Sequence, residues 1–206
     1  MCHRVVPLNL PEVEQLLLER KETGHARLAP SENASEPNDA YPSKPLAIIA
    51  PDASGELVAL ERRWGFQDPR GPRSKLVFNT RLDTALAHAS KDAGMWSRAI
   101  MSGRCLIPVR AFYESWTRNP PRRGAQVRFT YRSHAGLLLA GIFEDDCCSI
   151  VTTSPNSAVS PYHSRMPLCL GPGESGVWLG PDFASLANRS AIPLEATYDM
   201  MSLPRN

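Results

Sequence analysis

Residues 104–116 read Arg104-Cys105-Leu106-Ile107-Pro108-Val109-Arg110-Ala111-Phe112-Tyr113-Glu114-Ser115-Trp116. β-branched and aromatic residues dominate, and helix-forming runs are absent, so Cys105–Pro108 and Ala111–Trp116 are predicted as strands. Short β-rich stretches continue downstream at Val127–Arg132, Leu137–Glu144, Ser149–Thr153 and Met166–Leu170, each bounded by turn residues. Upstream, Leu46–Ala50 and Leu57–Phe66 flank a turn at Asp52–Gly55. Helical spacing predicts helices over Leu8–Glu22, Leu82–Ala93, continuing into Trp96–Met101, and small ones at Val177–Leu179 and Phe183–Asn188. The fold class that follows is α+β: an antiparallel sheet curled into a barrel-like core with a few peripheral helices. One domain is expected over residues 1–206, with a Pro-, Ser- and Asn-rich loop over residues 24–45.

Composition excludes several classes. No apolar run approaches the ~20 residues of a membrane helix, and Pro7, Pro11, Glu12 and Glu14 interrupt any signal-peptide pattern. A cytoplasmic, nucleoid-associated location is expected. The five cysteines (Cys2, Cys105, Cys147, Cys148 and Cys169) are an odd count without C-x2-C spacing, so neither a disulfide framework nor zinc is expected. Buried structural thiols are expected at all of them except Cys2. Net charge is +2, but arginines outnumber lysines 19 to 4. A guanidinium fork suits phosphate, and a codon bias toward arginine explains the excess equally well.

Cys2 follows the initiator methionine. Removal of Met1 would leave an α-amine and a thiol on adjacent carbons, with reference pKa values of about 8 and about 8.5. Such a 1,2-aminothiol condenses with an aldehyde to an imine and then closes to a thiazolidine. It also serves as an N-terminal nucleophile toward acyl groups. Glu114 lies among aromatic residues, where burial would raise its pKa into the range of general acid–base work; alternation also permits it to face solvent. His163 sits in a turn between Pro161 and Pro167. Asn79 and Arg81 share a face if extended, whereas a helix start capped by Asn79 or Thr80 is the competing reading.

Taken in order, Cys2, Trp64-Gly65, Asn79-x-Arg81-x-Asp83-Thr84, Arg104-Cys105-Leu106-Ile107-Pro108, Phe112-Tyr113-Glu114 and His163-x-Arg165-Met166-Pro167 resemble the SRAP (SOS response-associated peptidase) family. The resemblance implies an abasic-site sensor that binds single-stranded DNA and crosslinks to it through Cys2. It gives Cys2 as nucleophile, Glu114 and His163 as proton-transfer groups, and Asn79 as an orienting residue. Arg4, Trp64, Arg70, Arg73, Arg81 and Arg165 are implied at the DNA face. It implies a monomer that needs no metal or organic cofactor. The chain departs from the family at His3 (usually Gly), Asp83 (usually Glu) and Ser115, which separates Glu114 from Trp116. From Gln67 to Lys75 it has no aromatic residue. A self-processing thiol peptidase and a non-covalent single-strand-binding module are the alternatives.

Overall fold

The structure is a computed structural model that describes residues 2–23, 39–69, 71–72, 75–118, 124–132 and 134–198. In chain order the elements are β1 (Arg4–Pro7), α1 (Leu10–Thr23), β2 (Pro45–Pro51), β3 (Leu57–Trp64), β4 (Phe66–Gln67), β5 (Leu76–Val77) and β6 (Asn79–Arg81). They continue with α2 (Leu82–Ala89), α3 (Ser97–Ser102), β7 (Arg104–Ser115), β8 (Gln126–Tyr131), β9 (Leu137–Glu144) and β10 (Cys147–Thr153). Last come β11 (Met166–Pro167), β12 (Cys169–Leu170), α4 (Glu174–Leu179), a 3-10 turn (Phe183–Ala187) and β13 (Leu194–Tyr198).

Five strands close on themselves in the order β2–β3–β10–β9–β7, with β7 bonded to both β9 and β2. The fold is therefore α+β around a closed barrel, as the residue pattern predicts. Cys105, Ile107, Val109, Leu46, Ile48, Leu137, Leu139 and Ile150 fill the interior. Their alternate neighbours Leu106, Ile49, Ala140 and Ile142 pack outward against Val13 of α1, Leu82 and Ala85 of α2, Ile100 of α3 and Trp178 of α4. Period-two alternation on both faces gives the sheet two apolar sides, which the helices then cover.

Two local devices hold this frame. Asn9 and Glu12 cap α1 reciprocally: Asn9 Oδ1 accepts from the Glu12 N–H at 2.9 Å, and Glu12 Oε2 accepts from the Asn9 N–H at 2.8 Å. Arg104 terminates two helices with one guanidinium, donating to the carbonyls of Ile100 and Met101 in the last turn of α3 and of Trp178, Leu179 and Gly180 at the C-terminal end of α4.

Several boundaries differ from the sequence expectation. Cys105–Pro108 and Ala111–Trp116 form one strand, β7, rather than two. Its first half pairs with β9 and its second half with β1 and β8. Between the halves, Val6 faces Ala111 but Pro7 faces Val109, so Arg110 is an extra residue in a bulge. The helix expected over Leu82–Ala93 ends at Ala89. Strands β1 and β13 were not expected, and β6 follows the extended reading of 79–81; each is five residues or fewer.

Candidate active site and nucleic-acid face

The bulge decides where Glu114 points. Before it, odd-numbered residues of β7 (Cys105, Ile107, Val109) face the barrel interior. One inserted residue reverses the parity, so Phe112 lies in the interior cluster and Ala111 and Tyr113 lie in a separate one. Glu114 shares the parity of Phe112 and is fully buried. The bulged Arg110 is held outside by Glu12 at 2.7 Å.

Burial pushes the Glu114 carboxyl up to about 7, although the Cys2 backbone N–H acts in the opposite sense. His163 Nδ1 lies 3.4 Å from Glu114 Oε2. The histidine is delivered by a turn in which Asn156 Oδ1 accepts from the Ala158 and Val159 N–H groups and the His163 N–H bonds to the Val159 carbonyl. Its Nδ1 is 2.9 Å from the Arg165 carbonyl. Burial moves His163 below its usual 6.5. Both displacements favour the uncharged forms, so near neutral pH this is a pair of weak acid and weak base rather than an ion pair.

Cys2 lies in the same interior cluster, wholly buried, a correction to the expectation that it alone would escape burial. The cause is topological: β1 runs antiparallel to the second half of β7, with Arg4 opposite Tyr113, so the chain preceding Arg4 extends toward Glu114 and Ser115. Burial, reinforced by the neighbouring Glu114, raises the thiol well above the usual range. Asn79 Nδ2 donates to the Cys2 carbonyl at 2.7 Å, and its buried Oδ1 has no hydrogen-bond partner among the described residues. Asn79 arrives there on β6, which pairs in parallel with β10, Asn79 facing Ile150. Trp64 Nε1 donates to the Phe78 carbonyl at 2.8 Å and fixes the residue just before it. The strand reading of Asn79–Arg81 thus replaces the helix-cap reading: α2 starts after Arg81 without a side-chain cap.

His3 is placed by a relay. Arg4 donates to Asp39 Oδ2 through Nε at 2.7 Å and to Gln126 Oε1 through Nη1 at 2.9 Å. Arginine has no acceptor, so the Gln126 oxygen must face it and the amide nitrogen must face His3 Nε2, at 2.7 Å. His3 Nε2 therefore accepts. Neither Gln126 nor Asp39 carried a signal in the sequence.

The residues expected at a DNA face divide. Arg81 is more than half exposed and held bidentately by Asp83, at 3.1 and 2.5 Å; hydrogen bonding from Arg81 lowers Asp83 to about 2. Arg165 lies 3.9 Å from Asp83, mostly buried, and donates to the Thr152 carbonyl at 2.7 Å. Arg4 is mostly buried on the face opposite the barrel interior, bonded as above and stacked 3.9 Å over Tyr113. Trp64 is a core residue with no exposed surface. Arg70 and Arg73 lie outside the described residues.

Fold and site together describe a barrel protein that buries an N-proximal cysteine among an amide, a carboxyl and an imidazole. The model of the SOS response associated peptidase (SRAP) family matches residues 1–203, and the chain belongs to that family. Among curated relatives, abasic site processing protein YoaM of Bacillus subtilis (strain 168) is 30% identical over 145 residues, 66% of this chain and 62% of YoaM. Abasic site processing protein YoqW of the same organism is 28% identical over 149 residues, 68% of this chain and 65% of YoqW. The chain thus matches less than two thirds of the length of either. Two crystal structures of Bordetella bronchiseptica proteins share the fold. One has a TM-score of 0.67 at 24% identity and covers 96% of this chain and 99% of its own. The other, a phage-related protein, has a TM-score of 0.66 at 21% identity and covers 99% and 100%. No described helix is long and apolar enough to cross a membrane.

Proposed function

We propose that this chain processes abasic sites, binding them in single-stranded DNA and linking to them covalently through Cys2 once Met1 is removed. The observation that carries this reading is the buried convergence of Cys2, Asn79, Glu114 and His163, the last two both displaced toward their uncharged forms. The names of the curated relatives supply the substrate class.

An abasic deoxyribose is mostly a closed hemiacetal, and opening it to the aldehyde requires proton transfer. A carboxyl titrating at about 7 is half protonated at neutral pH and serves as acid or base. The Cys2 amine then adds to the aldehyde carbon and water leaves, giving an imine. The thiol closes the ring: sulfur bonds to the imine carbon and its proton passes to nitrogen. No redox partner is involved. Amine and thiol on one residue make the second step intramolecular. Asn79 holds the Cys2 carbonyl and so orients both groups. His163 passes protons between Glu114 and the sugar. Arg81 and Arg165 would meet backbone phosphates, Arg81 by exchanging Asp83 for phosphate.

A thiol raised well above its usual range by burial is little ionised near neutral pH, which counts against a thiolate peptidase. The test is incubation of the Met1-processed protein with a single-stranded oligonucleotide bearing one abasic site, followed by denaturing electrophoresis. A slow band that survives heat, and is missing for Cys2→Ala and for protein retaining Met1, is expected. Absence of that band from protein whose terminus is Cys2 by mass spectrometry would overturn the reading.

A further inference from the structure

Three aromatic side chains gather beside the buried cluster on a surface that none of its chemistry uses. In the β7–β8–β13 ladder Glu114 faces Val127 and Val127 faces Tyr198, so the three lie in one row across adjacent strands. Directly opposed residues project from the same face, and two strand spacings put Tyr198 on the order of 10 Å from Glu114. Trp116, two residues beyond Glu114, lies nearly parallel to Tyr198, with centroids 5.5 Å apart and 13° between planes. Tyr162, which precedes His163, stands edge-on to Trp116 at 5.1 Å and to Tyr198 at 6.4 Å.

The group is fixed rather than fortuitous. Trp116 Nε1 donates to the Arg118 carbonyl at 2.7 Å, and the Thr117 N–H bonds to the Tyr162 carbonyl at 2.9 Å. Yet Tyr198, outermost in the stack, is 54% exposed. A parallel ring pair in which Tyr198 is more than half exposed offers aromatic surface to another flat π system. Arg118 is exposed and lies close enough to act electrostatically on His163, so it offers a cation beside the cluster to a phosphate linking two nucleotides.

We propose that the Trp116–Tyr198 stack is a binding site for an unpaired nucleobase, and that the base adjacent to the abasic residue continues the stack on Tyr198. The inference rests on the abasic-site reading and adds to it how one neighbouring nucleotide is gripped without sequence preference. Stacking of this kind tolerates any base.

The test separates binding from reaction. Full-length Cys2→Ala protein is titrated, by fluorescence anisotropy, into single-stranded oligonucleotides bearing a tetrahydrofuran abasic analogue. The base on its 5′ or 3′ side is replaced in turn by a second tetrahydrofuran. Removing the base on one side is expected to weaken binding about tenfold, within the range for base–aromatic stacking. Tyr198→Ala in the same background gives a similar loss, the two changes together give no further loss, and Tyr198→Phe binds normally. Losses that add, or no loss with Tyr198→Ala, overturn the proposal; the base deletions guard against a variant that merely misfolds. Crosslinking by Cys2-intact protein is followed in parallel. Base-dependent binding without crosslinking would sink the covalent reading and leave the platform standing. Crosslinking by wild type with undiminished Tyr198→Ala affinity would do the reverse. No binding at all overturns both.

Discussion

Replacing Glu114 by Gln should make the protein more stable relative to wild type as pH rises. The carboxyl titrates at about 7 in the fold against an ordinary value of 4.5, and burial is the cause. The folded state therefore holds this proton more tightly than the unfolded chain. The carboxyl's contribution is fully present below pH 4.5, is lost as pH rises toward 7, and is constant above. A displacement of this size corresponds to about 3 kcal/mol. Glutamine has similar shape and no ionisation, so the difference between the two proteins isolates the carboxyl. Integrating over the interval, the stability of Glu114→Gln should gain about 2.5 kcal/mol on wild type between pH 5 and pH 8. Urea denaturation of both proteins at half-unit pH steps measures it. A difference that stays flat within about 0.5 kcal/mol, close to the error of such extrapolations, would refute the reasoning. Glu114 would then be ionised in the fold at ordinary pH, and it could not supply a proton at neutrality.

Three further outcomes follow from the same geometry. Asn79→Ala leaves the buried Cys2 carbonyl without its 2.7 Å partner; it should cost about 1–3 kcal/mol in thermal unfolding and speed amide exchange in β1, and unchanged β1 exchange would count against it. Gly141→Ala would bring a Cβ to 2.7 Å from Ile107 Cδ1 and 2.9 Å from Cys105 Sγ; overpacking of the barrel interior should lower stability by about 1–3 kcal/mol, visible as a fall in Tm. Deleting Arg110 removes the bulge and should abolish crosslinking, whereas Arg110→Ala keeps the residue count and should retain it; equal activity of the two proteins would contradict the parity argument.

That parity argument also marks where the sequence stops being readable. The strands of the barrel were legible because each carries enough alternating residues to be recognised alone, and Glu114 stood out because a carboxylate among aromatics must be explained. Its direction was not legible. Counting from Cys105, Ile107 and Val109 by twos puts Glu114 outside the barrel, and only the misalignment of Val6–Pro7 against Val109–Ala111 turns it in. A bulge is a property of two strands, and the partner strand here is four residues long, too short to show any period. The same gap hid the burial of Cys2: its environment is made by β1 lying on β7, not by anything next to it in sequence. Tyr198 was overlooked for a related reason, since Leu194–Tyr198 becomes a strand only by pairing with β8. Cys2, Glu114 and His163 were singled out from local pattern and family resemblance, whereas their burial and mutual approach, which depend on cross-strand register, were not legible. Each of the three is an ordinary residue alone, and the bulge at Arg110 turns Glu114 into the interior cluster that holds Cys2, with His163 beside it.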